Sequence, residues 1–161
     1  MPAKRESKEK LSVILPNGLA TARSVQKPST QALTKPLRST TILIVDDSPD
    51  LLELFTALVR LEGCIAVTAT DGAEALEKAS LCQPDLILMD IAMPNMDGCE
   101  ATRRILSVPQ LRNVPVIGMS AHWDRKWESL ALAAGCAECL QKPFYPSQVH
   151  EIIGRYIQKC D

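Results

Sequence analysis

Residues 86–98 read Leu86-Ile87-Leu88-Met89-Asp90-Ile91-Ala92-Met93-Pro94-Asn95-Met96-Asp97-Gly98. Four consecutive large apolar residues without polar alternation suit a strand buried on both faces, as in a parallel sheet. The run stops at a carboxylate, Asp90. From Gly98 to Val108 the spacing predicts a helix.

Working outward, the same texture recurs at Ile42-Leu43-Ile44-Val45, Ile65-Ala66-Val67 and Val116-Ile117-Gly118-Met119, with a weaker strand expected at Glu138–Gln141. Helical periods fill the gaps. Ser48 is placed to cap a helix whose first residue is Pro49 and whose apolar face is Leu51, Leu52, Phe55, Leu58 and Val59. Asp71 and Glu74 have the spacing of a capping-box variant ahead of Ala75, Leu76 and Ala79. Trp123, Trp127, Leu130, Ala131 and Ala134 recur with a helical period that Gly135 ends. Val149, Ile152, Ile153, Tyr156 and Ile157 form the last such face, with Gly154 costing about 1 kcal/mol relative to Ala. Alternating strands and helices imply right-handed β-α-β units and a doubly wound α/β sheet. Ligands of such sheets bind beyond the carboxyl ends of the strands.

What lies there is chemically uniform. The first strand ends in Asp46-Asp47, the third in Asp90, the fourth in Ser120, and Lys142-Pro143 follows the fifth. Three converging carboxylates repel unless a positive charge sits among them. A hard, oxygen-seeking divalent ion such as Mg²⁺ meets that need, and Lys142 adds to it. The set suits phosphoryl transfer, in which one carboxylate acts as nucleophile and forms an acyl phosphate. A single Asp at a strand end is more often a turn or a helix cap. Five such residues at the ends of four core strands are not explained that way.

Taken together, Thr41–Asp47, Leu86–Gly98, Met119-Ser120-Ala121 and Lys142-Pro143-Phe144 resemble the receiver domain of two-component response regulators over residues 40–160. The resemblance implies a flavodoxin-like, five-stranded parallel sheet of order 2-1-3-4-5 with helices on both faces. It implies that Asp90 is the phosphoacceptor, served by a phosphohistidine on a sensor histidine kinase or a phosphotransfer protein. Asp46, Asp47, Asp90 and the backbone carbonyl of Ala92 would hold Mg²⁺ (or Mn²⁺). Ser120 would contact a phosphoryl oxygen, Lys142 would pair with the carboxylate and then the phosphate, and Pro143 would follow a cis peptide bond.

One position departs from the pattern. Three residues before the lysine, receivers often carry a Tyr or Phe that turns inward on phosphorylation. Here it is Cys139, which puts the usual readout in doubt. His122 and Trp123, beyond Ser120, are the other readout candidates; His122 and Ala92 occupy positions that tune acyl-phosphate hydrolysis in receivers. Trp127 is expected to pack on its helix and His150 to be solvated. Cys136-Ala137-Glu138-Cys139 invites a zinc or redox reading, but zinc needs about four ligands and no second pair is spaced for it. Both thiols are expected to be bystanders, and Cys64, Cys82, Cys99 and Cys160 to be isolated.

Charge divides the 161-residue chain. Residues 1–38 carry eight Lys/Arg against two Glu, net +6, and residues 39–161 carry ten against seventeen, net −7. The first stretch, with four prolines and no sustained period, reads as a flexible basic tail, and 39–161 as the receiver domain. An acidic domain is a poor general nucleic-acid binder. No apolar run spans a bilayer, and the Leu11–Leu15 run is shorter than a signal peptide needs. Cysteines in a chain with a full core suggest a reducing, cytoplasmic setting. The expected function is a single-domain response regulator, monomeric rather than a stable oligomer, that switches contacts with a downstream protein. It is expected not to be a classical enzyme, although it can catalyse its own phosphorylation and dephosphorylation. The rivals are a phosphorylation-independent scaffold and a receiver fragment of a hybrid kinase.

Overall fold

The computed structural model describes residues 39–122 and 124–157. The expected tail over 1–38, Trp123 and Cys160 lie outside the described residues. Ten elements alternate without exception: β1 (Thr41–Val45), α1 (Pro49–Leu61), β2 (Ile65–Ala69), α2 (Gly72–Cys82), β3 (Leu86–Asp90), α3 (Gly98–Ser107), β4 (Val116–Ser120), α4 (Arg125–Ala134), β5 (Glu138–Gln141) and α5 (Pro146–Tyr156). The strands form one parallel sheet of order β2-β1-β3-β4-β5, as the sequence led us to expect.

Strand alternation sends side chains to two separate cores. Leu43, Val45, Ile87, Met89 and Val116 face α2, α3 and α4. Ile42, Ile44, Leu86, Leu88, Ile117 and Met119 face α1 and α5, which contribute Leu52, Phe55, Val59, Val149, Ile152 and Ile153. Every residue of β3 and β4 is buried, which is why these runs show no polar alternation. β2 is different. It is an edge strand, Ile65 is 48% exposed, and the expectation of burial on both faces fails there because, among the described residues, β2 pairs with β1 alone.

Two helix starts also differ in detail from expectation. Ser48 is the N-cap residue of α1, but its hydroxyl makes no capping bond; its backbone N–H instead donates to Asp46 Oδ1 at 2.9 Å. At α2, Asp71 Oδ1 accepts from the Glu74 N–H at 2.8 Å as anticipated. The return carboxylate of Glu74 is taken by the Thr70 N–H and hydroxyl rather than by Asp71. The α3 helix stops at Ser107, one residue short of Val108.

α4, like α2, is held by small residues. It begins at the Asp124 cap, ends at left-handed Gly135, and buries only Ala131 and Ala134. Trp127 and Leu130 are each 40% exposed, so the expected packing role of Trp127 is only half fulfilled. Two alanines contribute far less apolar area than the Leu, Phe and Ile of α1 and α5.

Candidate functional site

Parallel strands ending at one edge bring Asp46, Asp47, Asp90, Ser120 and Lys142 toward a common centre. Carboxylate oxygens of Asp46, Asp47 and Asp90 all lie within 4.8 Å of one another. Among the described residues, this is the single cluster of acidic, His or Cys groups suited to holding a metal. Asp46 is fully buried, Asp90 is 5% exposed, and Asp47 faces solvent.

The buried pair is aimed by its own loops. Asp46 Oδ1 accepts from Ser48 N–H, and Asp90 Oδ1 accepts from Ala92 N–H at 3.0 Å. The other oxygen of each meets the same ammonium: Lys142 Nζ donates to Asp46 Oδ2 at 2.5 Å and to Asp90 Oδ2 at 2.8 Å. The lysine is itself fixed. Its N–H donates to the Ser120 carbonyl at 2.7 Å, the Lys142–Pro143 peptide is cis, and Phe144 stacks on Phe55 of α1 with ring centroids 5.0 Å apart.

Electrostatics follow from this crowding. Burial pushes Asp46 above the ordinary carboxylate range, and Lys142 and the Ser48 N–H oppose it without prevailing. Burial alone would lower Lys142, but its bonds to Asp46 and Asp90 outweigh that and raise it. Three carboxylates against one ammonium leave a net charge of −2 in a set of hard oxygen donors. A divalent cation of the Mg²⁺ kind matches both the charge and the donor type.

Ser120 is 9% exposed, and its hydroxyl donates to the His122 carbonyl at 3.0 Å while accepting from the His122 N–H at 3.2 Å. His122 itself is exposed, as is Ala92 at the same mouth. An apolar groove of about 300 Å³ adjoins the acids, lined by Leu51, Leu54, Phe55, Ala121, Pro143, Phe144 and the stem of Lys142. His150 is exposed as expected, but it also pairs with Glu62 at 2.8 Å, tying α5 to the end of α1.

The packing role of Gly98 was not read from the sequence, although the residue was placed at the start of its helix. Gly98 opens α3, and its N–H donates to the Ile91 carbonyl at 3.0 Å. A Cβ at this position would stand 2.1 Å from the Asp90 carbonyl oxygen. The Asp97-Gly98 pair at a helix start was the available signal. Asp97 caps α3 through its bond from Glu100 N–H, and Gly98 permits the helix to press against the strand that carries the phosphoacceptor candidate.

The CxxC pair sits at the edge of the α3/α4 core. Cys136 is buried, Cys139 is half-buried, and Thr102 contacts Cys136 Sγ. Burial pushes the Cys136 thiol up to about 12 and the Cys139 thiol up to about 11. Thiols at those values stay protonated at neutral pH, so we expect iodoacetamide to modify them about a hundredfold more slowly than free cysteine, for which the pKa is about 8.5. Peptide mapping after a timed pulse checks this. Rapid labelling of either thiol in the folded protein would contradict it. Cys99 is less isolated than expected, since it lies close enough to disfavour ionisation of both.

The family described as "Response regulator receiver domain" matches residues 42–154. The polar-differentiation response regulator DivK of Brucella anthropi is 33% identical over 116 residues, which are 72% of this chain and 94% of that protein. The signal transduction histidine-protein kinase BarA of Shigella flexneri is 37% identical over 116 residues, but the match spans only 13% of its length. Among solved structures, the receiver domain of sensor histidine kinase PA1611 from Pseudomonas aeruginosa, with a magnesium ion coordinated in its active-site cleft, superposes with a TM-score of 0.70. It is 33% identical, and the alignment covers 74% of this chain and 98% of that one. Sheet order, acidic edge and sequence agree: the chain belongs to the response regulator receiver domain family.

Proposed function

We propose that this chain is a single-domain response regulator in which Asp90 accepts a phosphoryl group from a phosphohistidine of a sensor kinase or phosphotransfer protein. The observation that carries the reading is the shared ammonium of Lys142, bonded at once to Asp46 and Asp90. In the step proposed, an Asp90 carboxylate oxygen attacks phosphorus, the P–N bond of the donor breaks, and the imidazole leaves with the electron pair. Asp46, Asp47 and Asp90, with the Ala92 carbonyl, would hold the divalent ion. When bound, that ion neutralises charge on the phosphoryl oxygens. Lys142 follows the charge from the carboxylate to the phosphoryl group. Ser120 exchanges its bond to the His122 carbonyl for one to a phosphoryl oxygen.

A histidine-bearing helix of the donor is accommodated by the apolar groove along α1, which shares Lys142 with the site. The domain reading, with residues 39–161 as receiver and 1–38 as a basic tail, belongs to the same proposal. Its single-domain character is supported by the 94% coverage of DivK. No described helix is long and apolar enough to cross a membrane. A cytoplasmic setting accords with cysteines that form no disulfide among the described residues.

The test is direct. Incubation with Mg²⁺ and acetyl phosphate is expected to add one acid-stable, base-labile phosphoryl group, mapped by peptide mass to Asp90. Chelation with EDTA prevents it, and Asp90→Asn abolishes it. Undiminished labelling in Asp90→Asn, or labelling that needs no divalent ion, would sink the assignment.

A further inference from the structure

The outer side of β2 presents backbone groups that the sheet itself does not use, and the register shows which they are. The Ile65 N–H donates to the Thr40 carbonyl, and the Ala69 carbonyl accepts from the Asp46 N–H. Ile65, Val67 and Ala69 therefore face β1. By the alternation of a parallel ladder, the N–H and C=O of Ala66 and Thr68, and the N–H of Thr70, point outward. Such a row is a template for another strand. Exposed apolar side chains flank it, Ile65 on the strand and Leu61 just before it.

Two side chains of α2 occupy the upper half of this row. Lys78 Nζ donates to the Thr68 carbonyl at 2.6 Å. Glu74 Oε2 accepts from the Thr70 N–H at 2.6 Å and from the Thr70 hydroxyl at 2.8 Å. The two side chains also meet each other, Nζ to Oε1, at 2.6 Å. In a parallel sheet, one residue of a neighbouring strand donates to a carbonyl and accepts from the N–H two residues further on. Lys78 and Glu74 stand as donor and acceptor where one residue of a sixth strand would stand. An ion pair one turn apart on a helix surface ordinarily contributes little. This pair differs because both partners reach past their helix to the backbone of an edge strand. The bond from Lys78, and then those from Thr70, hold the Glu74 carboxyl down at about 2, so the acceptor stays charged at neutral pH and well into acid.

We propose that Glu74 and Lys78 close the sheet at β2, occupying an edge that otherwise pairs with β2 of a second copy of this chain. The edge is complementary to itself. Turned about a two-fold axis, Ala66 of each copy exchanges its N–H and C=O bonds with Thr68 of the other. That exchange needs the Thr68 carbonyl, which Lys78 already holds. What the pair leaves open, Ala66 and the Thr68 N–H, is too short to hold a strand.

The full chain is compared with Glu74→Ala/Lys78→Ala by sedimentation velocity over a concentration series. Freeing one blocked carbonyl on each copy is expected to tighten pairing by about tenfold to a hundredfold. The double variant then dimerises at concentrations where the parent is monomeric, and amide exchange at Ala66 and Thr68 slows as the dimer forms. Adding Ala66→Pro removes an outward N–H and none that faces β1, and is expected to restore the monomer. Lys78→Arg keeps a donor for the Thr68 carbonyl and is expected to sediment as the parent does. Melting curves confirm folding; should the double variant unfold, Lys78→Ala alone is read in its place. A folded variant that stays monomeric like the parent would overturn the proposal. So would a dimer that survives Ala66→Pro, or one that leaves exchange at Ala66 and Thr68 unchanged.

Discussion

Gly98→Ala is expected to destabilise the domain by about 3 kcal/mol and lower its melting temperature by about 10 °C. The added methyl would stand 2.1 Å from the Asp90 carbonyl oxygen and within 3 Å of Ile91 Cα, both backbone atoms with no rotamer to escape into. Either α3 tilts away, giving up its packing through Cys99, Ala101 and Ile105, or the strand end shifts. A shift of Asp90 moves the carboxylate itself, so Mg²⁺-dependent phosphorylation is expected to fall sharply even where the variant remains folded. Gly154→Ala is the matched control. No atom lies within 4 Å of the new methyl on α5, and the change is expected to stabilise by about 1 kcal/mol. Urea unfolding of both variants checks the pair. Equal effects at the two positions would show that backbone approach at Gly98 is not limiting.

Lys142→Met keeps an unbranched, flexible stem one atom shorter and removes the charge. Asp46, with a side chain 1% exposed, and Asp90 would then face each other without a cation. Removing one partner of a buried ion pair costs about 3–5 kcal/mol, and the lower figure is expected here because Asp47 and the site mouth admit solvent cations. The pH dependence has a definite sign. Burial already raises Asp46, and without the lysine its pKa rises further. A carboxylate whose folded pKa exceeds its unfolded value contributes stability below the unfolded value and loses it as pH rises through the folded one. In EDTA, the variant is therefore expected to be close to the parent in stability under acid conditions and to fall behind as neutrality is approached. Mg²⁺ is expected to restore much of the loss. A penalty that is constant across this range would mean that Lys142 acts through packing and not through its charge.

The acidic edge could be read in the sequence because parallel sheets impose a simple rule. Each buried strand appears as an unbroken apolar run, and the first polar residue after it lies at the ligand-binding end. Asp46, Asp90 and Ser120 were located by that rule alone, and their convergence required no knowledge of side-chain geometry. β2 escaped the rule because an edge strand needs less apolar character than a central one, and Ile65 faces solvent. Ser48 stands at the helix start where the sequence placed it, but that its hydroxyl makes no capping bond, and that its N–H aims Asp46, became visible only in the assembled site.

Long-range pairings were the least legible. The stack of Phe144 on Phe55 and the contact between Gly98 and the Asp90 carbonyl join segments whose spacing carries no period. Cys139 was visible as a departure from the receiver pattern, but its place opposite Gly118 on the neighbouring strand, with its sulfur 3.4 Å from where a Cβ at 118 would stand, was not.

The order of strands in the sheet also dates the assembly of the acidic edge during synthesis. β1, β2 and β3 are neighbours in the sheet and are complete once Asp90 has been made. At that moment Asp46, Asp47 and Asp90 are all present, while Lys142 is 52 residues away in the unmade chain. A ribosome adding about 5–20 residues per second takes several seconds to cover that distance. Through that interval the nascent half-sheet must bring three like charges together with only ions from the surrounding solution to offset them. The ammonium that bridges Asp46 and Asp90 arrives only with the residue that follows the last strand.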